Sequence, residues 1–369
     1  MVKEIKHPDT DYLEHYAKCR IRQVVLQVTQ QCNLRCSYCV YSGNYDTRQH
    51  SDKRMSEETA LKAIDYVIRH SSEVDEVCFS FYGGEPLLEI ELIKKCIAYV
   101  KKNMEGRKYT FSMTTNGTLL VPETVHFLVE NHFRLSVSLD GPKEEHDANR
   151  RFRTGKGSFD TIMKNIQHIK EHYPEFWENI YFLITLNPKM DLDKVCDFFA
   201  TTELLPHHLI QFNHVENINL NNPELIQFGD QYHLSQKYKY LKALMALSGM
   251  IKEEQVDKLY ERTLIDKKLF LDTLKDGNIL QRCVHHGGPC IPGARKLFVS
   301  VDGVFFPCEK VVENPKSRSI GKLDHGLEVE RMKRLLNLGD LTKEECKECW
   351  LFKIVRFVLH ELRKTKRKG

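Results

Sequence analysis

The sequence predicts an α/β protein built on a parallel sheet and joined to a small cysteine-rich C-terminal domain. Three observations carry this. Six short apolar runs alternate with helical patterns between about residues 22 and 215. The strand signals then give way to a charged helical stretch over 216–280. From 281 the composition shifts to Cys, Gly and Pro. Six alternating units need crossover connections, and these make a sheet parallel and right-handed. Periodicity does not decide whether that sheet is flat or curved.

The strands are expected at 23–28, 77–82, 109–114, 134–139, 180–186 and 209–213, runs rich in β-branched and aromatic residues. A helix begins after Ser56, an N-cap followed by Glu57 and Glu58 and then apolar residues at helical spacing. Further helices are expected over about 88–104, 121–131, 159–173 and 190–201. The domains follow: an N-terminal extension over 1–19, an α/β core over 20–215, a helical bridge over 216–280 and a cysteine-rich domain over 281–369. In the last, the stretch from Lys296 to Cys308 reads as a hairpin with a two-residue turn at Asp302-Gly303.

Composition excludes several classes of function. Of 369 residues, 41% are hydrophobic and 29% charged, enough for a globular core. No window approaches the roughly 18 apolar residues of a membrane span. The opening MVKEIKHPDT is no secretory signal, so a cytoplasmic location is expected. A net charge of +4 gives no reason to expect nucleic acid, and the terminal RKTKRKG reads as a solvated tail.

The twelve cysteines point to metal chemistry. Cys32, Cys36 and Cys39 form a C-x3-C-x2-C loop at the end of the first strand. Three thiolates suit a 4Fe–4S cluster with one iron left open, whereas structural zinc would want a fourth ligand; His50 is the nearest candidate. Cys19, Cys78, Cys96 and Cys196 stand apart and read as packing residues.

This loop resembles the signature of the radical S-adenosylmethionine superfamily, and other strand ends match it in order. Gly83-Gly84-Glu85-Pro86 follows the second strand, where bare glycine backbone approaches an ammonium closely. Thr115 and Asn116 lie in Thr114-Thr115-Asn116-Gly117 after the third strand. Ser138 and Asp140 lie in Ser138-Leu139-Asp140-Gly141-Pro142 after the fourth. The resemblance implies a partial (βα)6 barrel with a 4Fe–4S cluster on Cys32, Cys36 and Cys39. It implies S-adenosylmethionine on the fourth iron, backbone at Tyr38 touching adenine, and polar groups at 138–140 holding ribose and methionyl parts. Asn149-Arg150-Arg151 reads either as cations near the mouth or as a solvated loop.

The second set, Cys290, Cys308, Cys346 and Cys349, resembles the auxiliary-cluster domains called SPASM and Twitch. Four such ligands would complete one auxiliary 4Fe–4S cluster, with zinc as the alternative. Cys283 could serve the larger SPASM pattern, but valines stand at 355 and 358 where cysteines recur in it. A truncated or frame-shifted tail would explain them. The stretches 41–45, 50–55 and 292–298 are similar to maturases of Cys-rich ribosomal peptides. The implied reaction is thioether formation in a ribosomally made precursor peptide. A flavodoxin or ferredoxin would supply electrons, and a separate recognition protein would present the peptide. The rivals are an anaerobic sulfatase-maturating type of enzyme, with Glu309 after Cys308 as its acidic base, a Twitch-type dehydrogenase, and an inactive iron–sulfur or zinc scaffold.

Overall fold

The computed structural model describes residues 4–45, 48–206, 210–215, 220–222, 226–261, 283–285 and 290–348. In chain order the elements are β1 (Glu4–Ile5), α1 (Leu13–Cys19), β2 (Gln23–Thr29), α2 (Glu57–Arg69), β3 (Glu76–Gly83), α3 (Ile90–Asn103), β4 (Lys108–Thr115), α4 (Pro122–Glu130), β5 (Arg134–Ser138), α5 (Lys143–Asn149), α6 (Phe159–His172), α7 (Pro174–Glu178), β6 (Tyr181–Leu186), α8 (Leu192–Thr201), β7 (Ile210–His214) and α9 (Asp230–Leu247). Then come β8 (Cys283–Val284), β9 (Leu297–Val299), β10 (Val304–Phe306), β11 (Gly321–Lys322), β12 (Gly326–Leu327), α10 (Val329–Leu336) and α11 (Lys343–Glu348). All six expected core strands are present within a residue or two, and they lie in a mixed α/β fold.

The chain divides into two units. The first comprises 1–32, 47–112 and 279–369; the second, 33–46 and 113–278. β4 leaves the first unit at Ser112 and enters the second at Met113.

In the first unit β2 is flanked by parallel partners, β3 on one side and β9 on the other. Val24 through Val28 are all buried, as expected for a strand covered on both faces. The one polar side chain among them, Gln27, is satisfied: its amide nitrogen donates to Glu313 Oε1 (2.9 Å) and its oxygen accepts from Val301 N–H (3.0 Å). Val25, Phe298 and Phe306 form a shared core, so Phe298→Ala would cost about 3–5 kcal/mol. The β9–β10 hairpin thus continues the sheet that holds β2 and β3. Its turn spans Ser300–Gly303 rather than two residues. Ser300 O accepts from Gly303 N–H, Ser300 Oγ caps Val304 N–H, and Gly303 takes φ +74°, a turn followed by a left-handed residue. α2 starts as expected, with Ser56 Oγ accepting from Thr59 N–H (3.1 Å).

In the second unit β5, β6 and β7 run parallel. Phe182, Ile184 and Leu186 of β6 are buried, as are Ile162, Ile166 and Ile169 of α6 and Val195, Cys196 and Phe199 of α8. α8 is capped by Asp191, which accepts from Asp193 and Lys194 N–H groups. α9 represents the helical stretch expected over 216–280. No described helix is long and apolar enough to cross a membrane.

Candidate active site

In the first unit β2 leads through Gln30 and Gln31 to Cys32, and β3 ends on the Gly83-Gly84-Glu85-Pro86 loop. The two segments touch main chain to main chain: Gly84 N–H donates to Thr29 O (3.0 Å) and Glu85 N–H to Gln31 O (2.9 Å). A Cβ on Gly83 would stand 2.0 Å from Thr29 O, and one on Gly84 would stand 2.2 Å from Gln31 O and 3.1 Å from Cys32 Cβ. Only glycine permits this approach. The two glycines therefore shape the backbone that carries Cys32. Glu85 is fully buried, and its carboxylate accepts from Leu87 N–H (3.1 Å), closing the turn that begins at Pro86.

In the second unit the remaining cysteines sit in a tight turn, with Cys39 N–H donating to Cys36 O (3.2 Å) and Ser42 N–H to Cys39 O (2.8 Å). Neither is in a disulfide and both are half-buried, as is Cys32 in its own unit. The segment after α5 pins this turn. Arg35 N–H donates to Arg151 O (2.7 Å), Leu34 bridges Phe152, and Ser37 Oγ donates to Asn149 Oδ1 (2.6 Å). Asn116 works from the β4 end, donating to Asn33 Oδ1 (2.8 Å) while Asn33 donates to Thr118 Oγ1 (2.8 Å). Thr115 caps Gly117 N–H (3.1 Å). Ser138 ends β5 half-exposed.

Beneath Tyr38 lies a buried polar network. Asp140 is 0% exposed. Its Oδ2 accepts from the Tyr38 hydroxyl and from Arg150 Nε (2.7 Å), and its Oδ1 accepts from Thr185 N–H (2.9 Å). The Arg150 guanidinium lies 5.4 Å from the Tyr38 ring centroid. Arg150 is thus a buried, paired cation rather than part of a solvated loop, while Arg151 is exposed. Asp140, expected near a ligand, is taken up by the groups that anchor Tyr38. Burial pushes the Tyr38 hydroxyl well up, so it stays protonated and donates. His146 completes the network: Asp140 N–H donates to its Nδ1 (3.2 Å), and its Nε2 meets Ser158 Oγ (2.9 Å). Burial pulls its pKa down to about 4, with Asp140 opposing and Arg150 adding, so the ring is neutral. No sequence pattern marked His146; its only signal is a place six residues past Asp140.

The second cysteine set lies in the first unit. Cys308 sits at a turn closed by Val311 N–H to Cys308 O (3.2 Å). Burial raises its thiol pKa, Glu309 adds to this, and the N–H groups of Lys310 and Val311 directed at the sulfur oppose it. Backbone donors of that kind suit a thiolate ligand. Arg48, which sequence reasoning missed, holds the turn. Its Nη2 donates to Glu309 O (2.7 Å) and Val311 O (2.8 Å), and its Nε pairs with Glu313 Oε1 (2.8 Å). Glu309 Oε1 pairs with Lys296 Nζ (2.9 Å), and its Oε2 is buried without a hydrogen-bond partner. Cys290 is exposed and Cys346 half-buried; the ligand atoms of Cys290, Cys308 and Cys346 are not gathered within 4.8 Å of one another. The side chain of Cys283 and all of Cys349 lie outside the described residues, as does the tail with Val355 and Val358.

The donor set fits iron–sulfur chemistry: half-buried thiols outside any disulfide at Cys32, Cys36, Cys39 and Cys308, with glycine backbone or amide donors beside Cys32 and Cys308. Comparison with known proteins agrees. Residues 26–199 match the family model described as the Radical SAM superfamily. The chain is 35% identical over 182 residues to a cysteine-type anaerobic sulfatase-maturating enzyme of Clostridium novyi, covering 48% of each. It is 28% identical over 340 residues to a cysteine-type enzyme of Clostridium perfringens, covering 88% of this chain and 85% of that one. At 35% identity, then, the match spans about half the length of the curated relative. The solved structure of native anSMEcpe with bound AdoMet and Kp18Cys peptide shares the fold, with TM-score 0.66 and 22% identity over 90% of this chain and 87% of that one. Cys32, Cys36, Cys39 and the glycine loop all fall inside the matched stretch, so residues 26–199 carry a radical SAM domain.

Proposed function

We propose that the chain is a radical S-adenosylmethionine enzyme that oxidises a cysteine or serine of a peptide or protein to formylglycine. Cys32, Cys36 and Cys39 hold a 4Fe–4S cluster. S-adenosylmethionine would bind its open iron, with the bare glycine backbone of the Gly83–Pro86 loop, next to Cys32, suited to its amino group. When bound, this pair supplies the adenosyl radical that removes a hydrogen atom from the substrate. Cys290, Cys308, Cys346 and Cys349 would hold an auxiliary 4Fe–4S cluster, which would supply an acceptor for the electron released on oxidation, and a flavodoxin or ferredoxin would be the electron donor to the first cluster.

The observation that carries this reading is Glu309. Lys296 holds one carboxylate oxygen, and the other is buried with no hydrogen-bond partner. An unpaired buried acceptor costs about 1–3 kcal/mol, and a substrate thiol or hydroxyl proton relieves that cost. Glu309 is therefore the general base for the substrate heteroatom. The relatives named above support formylglycine formation over the thioether formation expected from the sequence. The test is anaerobic incubation of the reconstituted protein with dithionite, S-adenosylmethionine and a cysteine-containing sulfatase-motif peptide. The expected products are 5′-deoxyadenosine and a peptide aldehyde trapped by a hydrazide. A product that keeps its sulfur and has lost only two hydrogens would overturn the reading in favour of a thioether. Absence of 5′-deoxyadenosine from fully iron-loaded protein would overturn the radical assignment.

A further inference from the structure

The first unit carries a second set of metal-ligating side chains, remote in sequence from both cysteine sets. His15 and Cys19 are one helical turn apart on α1 and so share a face. Glu73, in the turn between α2 and β3, comes to the same face. His15 Nε2 lies 2.9 Å from Glu73 Oε2, and Cys19 Sγ lies 3.6 Å from the imidazole nitrogens. One ligand atom from each residue falls within 4.8 Å of the others; among the described residues no other three His, Cys, Asp or Glu side chains meet this condition.

From these residues we infer a zinc site on His15 Nε2, Cys19 Sγ and a Glu73 carboxylate oxygen, with water in the fourth position. Tetrahedral zinc with bonds of about 2.0 Å to nitrogen and oxygen and about 2.3 Å to sulfur sets its ligands about 3.3 Å apart (N···O) and about 3.5 Å apart (N···S). The observed separations differ from these by a few tenths of an ångström, so binding needs only side-chain adjustment. The backbone is already arranged for it. Glu73 N–H donates to Cys19 O and Ile21 N–H to His70 O, both at 3.0 Å, docking the turn onto the end of α1. Arg107 braces the turn from behind, donating to Ile68 O (3.1 Å) and Ser71 O (2.6 Å). Thiolate and carboxylate together neutralise the dication, and the thiol proton is released to solvent on binding. His15 and Glu73 are half-exposed, which gives the ion an entry path. The site clamps α1 to the α2–β3 turn and leaves the iron ligands untouched.

The test uses the full chain after anaerobic iron–sulfur reconstitution. Wild type, Cys19→Ala and Glu73→Gln are each given one equivalent of Zn2+, desalted and assayed for zinc, iron and sulfide; thermal unfolding is recorded with and without Zn2+. Wild type is expected to keep one zinc per chain, with a raised melting temperature. Cys19→Ala should lose that zinc and the thermal shift while its iron and sulfide stay at wild-type level, and Glu73→Gln should bind at least about tenfold more weakly. Equal zinc in wild type and Cys19→Ala would overturn the site, as would zinc retained by neither or iron lost together with zinc. Should Cys19→Ala fail to fold, His15→Gln, at an exposed position, serves in its place with the same outcomes.

Discussion

Acidification should destabilise the second unit through one residue, His146. Its ring is fully buried, its Nδ1 accepts from Asp140 N–H, and its Nε2 faces Ser158 Oγ, which itself donates to Arg150 O. Protonation would place a proton on Nδ1 against another N–H and bury a second cation beside Arg150. The folded pKa, about 4, lies below the ordinary 6.5. A lowered folded value means that stability is fully present above pH 6.5 and drains away as pH falls through 6.5 towards 4. At about 1.36 kcal/mol per unit the whole effect is about 3 kcal/mol, of which about 2 kcal/mol falls between pH 7 and 5. The urea midpoint of wild type and of His146→Gln, compared at pH 7 and 5, reads it directly: glutamine offers an acceptor and a donor but does not titrate. Wild type should lose about 2 kcal/mol more than the variant over that interval. Equal losses in the two proteins would refute the reasoning.

Gly84→Ala drives a methyl group into Gln31 O and should cost about 1–3 kcal/mol of local stability, seen as reduced iron retention and weaker S-adenosylmethionine binding. Arg48→Met removes the guanidinium that pairs with the largely buried Glu313 and leaves its charge with the Gln27 amide but without its cation, a loss of about 3–5 kcal/mol; hydrogen exchange should quicken over 308–313 while the backbone amides of β6 stay protected. Glu309→Gln should lower the rate of peptide oxidation by about 10²–10⁴-fold, while 5′-deoxyadenosine still forms in the presence of substrate; parallel loss of both products would remove Glu309 from the role of base.

The sheet was legible because its strands are the short, β-branched and aromatic runs that burial on both faces demands, and Ser56 marked a helix start by its chemistry alone. α5 was not, because Lys143–Asn149 has no apolar stripe; it is fixed by tertiary contacts, His146 and Asn149 being its buried residues. β1 and β8 are two residues each, too short for any period, and pair across 279 positions. The strand-end loops were readable as a set, yet their side chains were read by proximity. Asp140 was expected to face a ligand and instead anchors Tyr38 and Arg150, and Glu85 closes its own turn. Arg48 carried no motif. A lone arginine in a polar loop acquires meaning only once Glu313 and two carbonyls converge on it from 261–265 residues away.

The cysteines show why spacing separates ligands from packing residues only in part. Cys96 and Cys196 lie on the inner faces of α3 and α8, where burial pushes each thiol up to about 12. Both are buried in the core and neither joins a group of three metal-ligating side chains among the described residues, so these two sit as the packing residues that isolation in the sequence implied. Cys308 is also raised by burial, but the amides of Lys310 and Val311 are aimed at its sulfur and lower the cost of ionising it. Cys19 is isolated in sequence too, yet it is not walled in by apolar neighbours; an imidazole one turn back and a carboxylate from the next turn of chain stand beside it. What divides these thiols is whether the fold gathers backbone donors or other ligating side chains at the sulfur. Cysteine clustering captures that only when the donors come from the same short loop, as they do from Cys32 to Cys39. It fails where they come from a helix face and a distant turn.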